Sequence, residues 1–287
     1  MSVNKQLVVN ADDFGFTRDV NQGIIEAHQQ GILTATTLMA NGEAFDDAVR
    51  LARENPGLDV GAHLVLIGGR ALATRGSDLP RSVLHLLAAI GAGRIHIYDE
   101  LAAQVRRILD VGLRLTHLDT HKHTHLAPAV LEAVARVAEE FNIRWVRRPF
   151  DLPLTAARGE ASWLRRATSG SLSPLRGRFH RVLARHHCRA TDYFAGFQIT
   201  GRFRTGELVA LIRDLPEGST ELMCHPGRAT GELRRARTRL KESREQELAA
   251  LIALETRHAL EESGVELVDY CTLESAWITT HLPAEPR

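Results

Sequence analysis

Two adjacent carboxylates, Asp12 and Asp13, follow the apolar run that starts at Leu7 and lie just before Phe14-Gly15. In an extended backbone neighbouring side chains diverge, so one carboxylate can bind a cation while the other faces a substrate cavity. An Asx-turn that only stabilises a loop would use the same pair. His63 interrupts the otherwise apolar Gly61-Ala-His-Leu-Val-Leu66, and reads either as a ligand or as a hydrogen-bonded core histidine. Further on, His117, Asp119, His121, His123 and His125 recur at period two. On a strand these side chains share one side, and such a group is not buried without partners or a cation. A solvated histidine-rich loop is the plain alternative. Neutral imidazole with carboxylate suits zinc or a related first-row ion better than an all-oxygen magnesium cage. Spacing leaves open whether His121 or His123 is the ligand. His225 sits in Leu222-Met-Cys-His-Pro-Gly227, where Pro226 and Gly227 turn the chain; it reads as a site residue or as a structural one. Cys224 would point the other way, buried and inert.

The elements that must position these residues alternate, short β-branched runs with longer segments of helical period. Strands are expected at Leu7–Ala11, Thr34–Met39, Asp59–Leu66, Leu115–Thr120, Ile143–Val146, Tyr193–Phe197, Thr220–Cys224 and Val265–Asp269. Helices are expected at about Val20–Gln30, at Glu43–Glu54, between Val83 and Leu109, and from Leu126 to Phe141. A last helix should start near Ser243 and end before Gly264. This pattern predicts an α/β fold, a deformed (β/α) barrel of seven or eight mainly parallel strands. Asn10, Asp12, Asp13, His63, the His117–His125 stretch and His225 then all fall at the carboxyl ends of strands, on one rim. No G-x-G-x-x-G follows the first strand, which counts against a dinucleotide fold.

Composition bounds the rest. The 287 residues, 44% apolar and 25% charged, are read as one barrel domain spanning 1–287, with a basic insertion or lid at about 151–190. With 36 basic residues against 35 acidic, no global field points to nucleic acid as a partner. Three cysteines without a CxxC pair exclude a disulfide framework and a cysteine-built zinc site, and make a reducing, cytoplasmic setting the default. No apolar stretch reaches the ~18 residues of a membrane span. From Arg158 to Arg189, eight arginines face a single acid, Glu160, with Trp163, Leu164, Leu172, Leu175, Phe179, Val182 and Leu183 interspersed. This segment reads as a solvated lid, a peripheral contact at the inner face of a membrane, or a homo-oligomer interface.

Four motifs in this order, Val8-Val-Asn-Ala-Asp-Asp-Phe-Gly15, Gly61-Ala-His-Leu-Val-Leu66, Thr116-His-Leu-Asp-Thr-His-Lys-His-Thr-His125 and Met223-Cys-His-Pro-Gly227, resemble the YdjC/ChbG carbohydrate deacetylases. The resemblance runs from the first strand to at least Gly227 and takes little from Asp151–Ala190. It implies a deformed barrel and one divalent ion, with Asp13, His63 and His121 as ligands, Asp12 as base and His225 as acid. His123 and His125 would line the pocket or stand behind it, and Asn10 is expected on the substrate side. Zinc is favoured on ligand type, with magnesium or another divalent ion as alternatives. Within the family the chain looks most like the hopanoid-associated HpnK deacetylases, in Asn10–Asn21, in Glu26–Ala35 with Thr36-Thr37, and in Gly61–Arg70. That likeness implies N-acetylglucosaminyl bacteriohopanetetrol as substrate, a glycolipid, against a chitin-derived sugar such as diacetylchitobiose. A metallophosphoesterase and a non-catalytic sugar-lipid binding protein are the readings from other classes.

Overall fold

The structure is a computed structural model that describes residues 4–74, 76–152 and 173–281. Eight strands lie in one sheet: β1 (Lys5–Phe14), β2 (Ala35–Leu38), β3 (Asp59–Leu64), β4 (His117–Thr120), β5 (Trp145–Val146), β6 (Tyr193–Ala195), β7 (Gly218–Cys224) and β8 (Val265–Leu267). Strands β1, β2 and β3 are buried on both faces along nearly their whole length, the signature of parallel strands covered by helices. All the named pairings are parallel, in the order β5-β4-β3-β2-β1-β7-β6, with β8 paired to β1.

The register explains the deformation. β7 takes one edge of β1 from Lys5 to Ala11. On the other edge, β8 pairs with Lys5–Leu7 and β2 begins only at Asn10. The eighth strand therefore sits at the foot of β1 and does not close the ring. Between β5 and β6 closure is equally thin: a lone parallel bridge joins Trp145 to Arg189, and Leu152 N–H donates to Phe194 O at 2.7 Å.

Among the described residues the α-helices are α1 (Arg18–Gln30), α2 (Phe45–Glu54), α3 (Val83–Gly91), α4 (Ile97–Asp110), α5 (Pro128–Glu140), α6 (Ser173–Arg185), α7 (Thr205–Arg213), α8 (Gly231–Arg235), α9 (Glu242–Ile252), α10 (Leu254–Glu262) and α11 (Tyr270–His281). α1 starts at Thr17, whose side chain accepts from Val20 N–H, and buries Val20, Ile24 and Ile25. Gly23 of α1 meets the loop after β7 backbone to backbone; a β-carbon there would overlap Gly227 Cα. Most of the core is one continuous cluster that joins the strands to α1, α2, α4, α5 and α6.

Three expectations change. The single helix from Ser243 is two, α9 and α10, because Ala253 is extended between them and the Thr256 hydroxyl takes the Ala250 carbonyl. α11 then follows β8. In the basic segment, Trp163, Leu164 and Leu172 lie outside the described residues. Phe179, Val182 and Leu183 are buried against the core, so in α6 the apolar side meets protein while Arg176, Arg178, Arg181 and Arg185 face solvent. Those three side chains are not free to enter lipid. No described helix is long and apolar enough to cross a membrane.

Candidate metal centre and active site

At the top of β1 the two carboxylates do not sit on a regular strand. Pairing with β2 shifts register between Ala11 and Phe14, and Asp13 adopts a left-handed backbone with φ of 69°. The bulge turns both side chains toward the same rim, where an unbroken strand would have sent them to opposite faces. Asn21 in α1 fixes this turn: its carbonyl accepts Gly15 N–H at 2.7 Å, and its amide donates to Ala44 O and to Asp47.

Asp13 Oδ1, His63 Nε2 and His121 Nδ1 form a triangle with sides of 3.2, 3.3 and 3.4 Å. For metal bonds of ~2.0–2.1 Å, ligand-to-ligand edges run from roughly 3 Å for octahedral to roughly 3.4 Å for tetrahedral geometry. His63 is fixed by Asp119 at the end of β4, whose Oδ1 accepts from Nδ1 at 2.7 Å. A carboxylate only accepts, so Nδ1 carries a proton and Nε2 is the nitrogen turned into the triangle, free to ligate once an ion displaces any proton there. Burial pushes the His63 pKa down, but the Asp119 and Asp12 carboxylates outweigh it and lift it to about 10. The field at this point favours a cation. Asp12, Asp13, Asp119 and Glu221 are buried with two buried guanidiniums, Arg147 and Arg244, so the carboxylates outnumber the fixed cations. Donor set, edge lengths and field all fit a divalent ion.

The histidine-rich stretch is a strand only as far as Thr120. Residues 121–126 form a 3₁₀ turn, with Lys122 and His123 left-handed at φ of 58° and 50°. This reversal breaks the expected period-two face, and the four histidines separate. His121, 26% exposed in its side chain, enters the triangle. His123 turns away to pack edge-on against Phe194 and Phe197. His125 Nδ1 engages the Thr120 hydroxyl at 2.5 Å. Burial first, then Arg147, keeps both rings uncharged, with His125 driven down to about 3. His117 lies beneath the rim, stacked on Tyr270 with centroids 4.0 Å apart and 3.3 Å from Asn10 Oδ1. Asn10 is wholly buried and donates to Glu221, which puts it under the site and not against a ligand.

Arg147 had no role in the sequence reading. It follows Val146 directly, is 1% exposed, and its backbone N–H still pairs with Leu118 O. Its guanidinium grips Asp12 through two bonds of 2.7 and 2.8 Å, Asp119 at 2.6 Å and Glu221 at 2.7 Å. Burial alone would raise the Asp12 pKa, but Arg147, His63 and His225 hold it well below the ordinary carboxylate range. From α9, Arg244 bonds the second oxygen of Asp13, leaving Oδ1 to the triangle. Three residues along, Glu247 accepts the backbone N–H groups of His225 at 2.6 Å and Gly201 at 2.7 Å. His225 itself lies with Nε2 3.8 Å from Asp12 Oδ2, and burial takes its pKa down to about 4. A second grouping, Asp12, His63 and Asp119, shares His63 and has its carboxylates already held by Arg147, which argues against a two-metal centre.

The YdjC-like protein family model matches residues 6–262. A carbohydrate deacetylase of Brevibacillus brevis is 34% identical over 279 residues, covering 93% of this chain and 99% of that protein. The Geobacillus stearothermophilus carbohydrate deacetylase is 35% identical, over 92% of this chain and 96% of its own. Among solved structures, an Enterococcus faecalis V583 protein provisionally described as a cellobiose-phosphate cleavage protein superposes with a TM-score of 0.72. It is 25% identical over 94% of this chain and 99% of that one. With the fold, the rim and these relatives in agreement, the chain belongs to the YdjC-like protein family.

Proposed function

We propose that this chain is a carbohydrate N-deacetylase dependent on one divalent ion, and that it releases acetate from an N-acetylglucosamine unit carried on a hopanoid, N-acetylglucosaminyl bacteriohopanetetrol. The observation that carries the reaction class is the meeting of Asp13, His63 and His121 with Asp12 and His225 on one rim. Pure binding requires neither a base nor an acid beside the ligands. Bound by Asp13, His63 and His121, the ion, with zinc favoured, would polarise the acetamide carbonyl and lower the pKa of water towards ~7.

Asp12 is the base. Arg147 keeps it ionised and points it, and it takes the proton of the attacking water. His225 is the acid. Its ring is neutral at rest, so it delivers a proton to the departing amine only after receiving one, and Asp12 stands 3.8 Å away as the source. Glu247 fixes the backbone of His225 and hence where that proton is offered. His123, framed by Phe194 and Phe197, would border the sugar, with His125 behind it.

The hopanoid assignment is supported by the resemblance in Asn10–Asn21, Glu26–Ala35 and Gly61–Arg70. Metal-loaded protein offered N-acetylglucosaminyl bacteriohopanetetrol and diacetylchitobiose side by side, with acetate measured, tests it. Release from the first substrate is expected. Release from diacetylchitobiose alone would overturn the hopanoid assignment and leave the deacetylase chemistry standing.

A further inference from the structure

The chain leaves the carboxyl end of β3, one residue past His63, on a long excursion that returns only at α4. The excursion is held in place: Gly68 N–H donates to Pro80 O, Leu79 N–H to Gly69 O, and Glu100 of α4 accepts the N–H groups of Leu72 and Ala73. Its outermost part is α3, Val-Leu-His-Leu-Leu-Ala-Ala-Ile-Gly, which carries no charged residue other than His85 if protonated. Leu86 anchors the helix in the core and Ile90 packs against it. On the outer side Val83 is 48% exposed, Leu84 77% and Leu87 48%. A helix that is apolar all round belongs inside something apolar, yet this one stands at the surface with its outer face exposed among the described residues.

Charge selects the cover. From Gly68 to His96 the sequence has four arginines, Arg70, Arg75, Arg81 and Arg94, and one acid, Asp78. Arg81 and Arg94 are exposed and bracket the helix at its two ends, and Arg70 is exposed on the excursion behind it. An apolar face framed by cations matches a bilayer with anionic headgroups, where leucines enter the acyl boundary and arginines meet phosphate. A second copy of this chain would set arginines against arginines across a two-fold contact. We propose that α3 is a docking surface for anionic membranes. Because the excursion springs from the same strand ends as the site, docking there faces the rim toward a sugar borne on a lipid. That last consequence rests on the deacetylase reading; the docking surface does not.

The test uses the full chain, co-sedimented with vesicles of phosphatidylcholine and with vesicles of equal parts phosphatidylcholine and phosphatidylglycerol. Binding to the mixed vesicles only is expected, and the Leu84→Asp/Leu87→Asp double variant should partition at least about tenfold less. Both side chains are exposed, so the variant should keep the Tm of the parent and its acetate release from a soluble N-acetylated sugar. A parent that stays in the supernatant with both vesicles overturns the proposal, as does a variant that sediments equally well. A lipid-free dimer of the parent that the variant dissociates overturns it too, by assigning the face to a second copy. Vesicle binding lost in the variant, in a protein that releases no acetate from any sugar, supports the docking surface and removes the deacetylase instead.

Discussion

The rim divides into two halves that do different work. β1, β3 and the end of β4 bring Asp13, His63 and His121 to within 3.4 Å of one another. β5, β7 and α9 bring Arg147, His225, Arg244 and Glu247, which bond the carboxylates or the backbone. One half gathers the three side chains that would hold an ion. The other pairs buried carboxylates with guanidiniums and fixes the backbone of His225. Three aspartates and two histidines packed this tightly would repel or neutralise one another without the second half, because burial pushes every carboxylate toward its protonated form.

If the division holds, substitutions should separate into those that remove metal and those that remove turnover. His63→Ala should have the largest effect: bound metal falls from one per chain to none, and acetate release falls to background. Equal metal content in parent and variant, measured by atomic emission, would abolish the ligand assignment. Asp12→Asn should keep one metal per chain and lose turnover by about 10²–10⁴-fold; loss of metal together with turnover would blur the two halves into one. Arg244→Met crosses the boundary, since Arg244 holds a ligand from the far side. Metal affinity should weaken by about 10–100-fold, and titration with a chelator would read it.

The smallest effect concerns folding. Burial lifts the Asp151 carboxyl to about 7, although the N–H groups of Phe197 and Gln198 offset part of that. In the unfolded chain its pKa is about 3.9. The folded state therefore binds the proton more tightly, and this contribution is full below about pH 4 and lost as pH rises through about 7. Tm should fall between about pH 4 and pH 7, less steeply in Asp151→Asn. Parallel Tm curves for the two proteins would exclude Asp151 as a source.

The strands were legible as short segments rich in β-branched and apolar residues alternating with stretches of helical period, and β4, His-Leu-Asp-Thr, was placed by the apolar Leu115 before it and by its position in that alternation. The three side chains that meet at the triangle were legible as candidates because they are polar residues in places where apolar ones belong: His63 inside Gly61–Leu66 is the clearest. His121 could not be told from His123 because the choice depends on two left-handed residues, Lys122 and His123, and neither type announces a turn. Arg147 gave a signal that went unused, a charge directly after an apolar strand at the rim. Arg244 and Glu247 gave none. They sit in Glu-Ser-Arg-Glu-Gln-Glu, a run that looks like any solvated helix start, and only tertiary packing buries them.

Gly23 and Gly227 leave no room for a methyl group between α1 and the loop that carries His225. An alanine at position 23 would press on the far end of that loop and shift the imidazole, with no chemistry of its own. Distance from the cleft is thus no safeguard here: under the proposed mechanism an outer helix has leverage over proton delivery, and a catalytic defect would arise where nothing touches a candidate ligand.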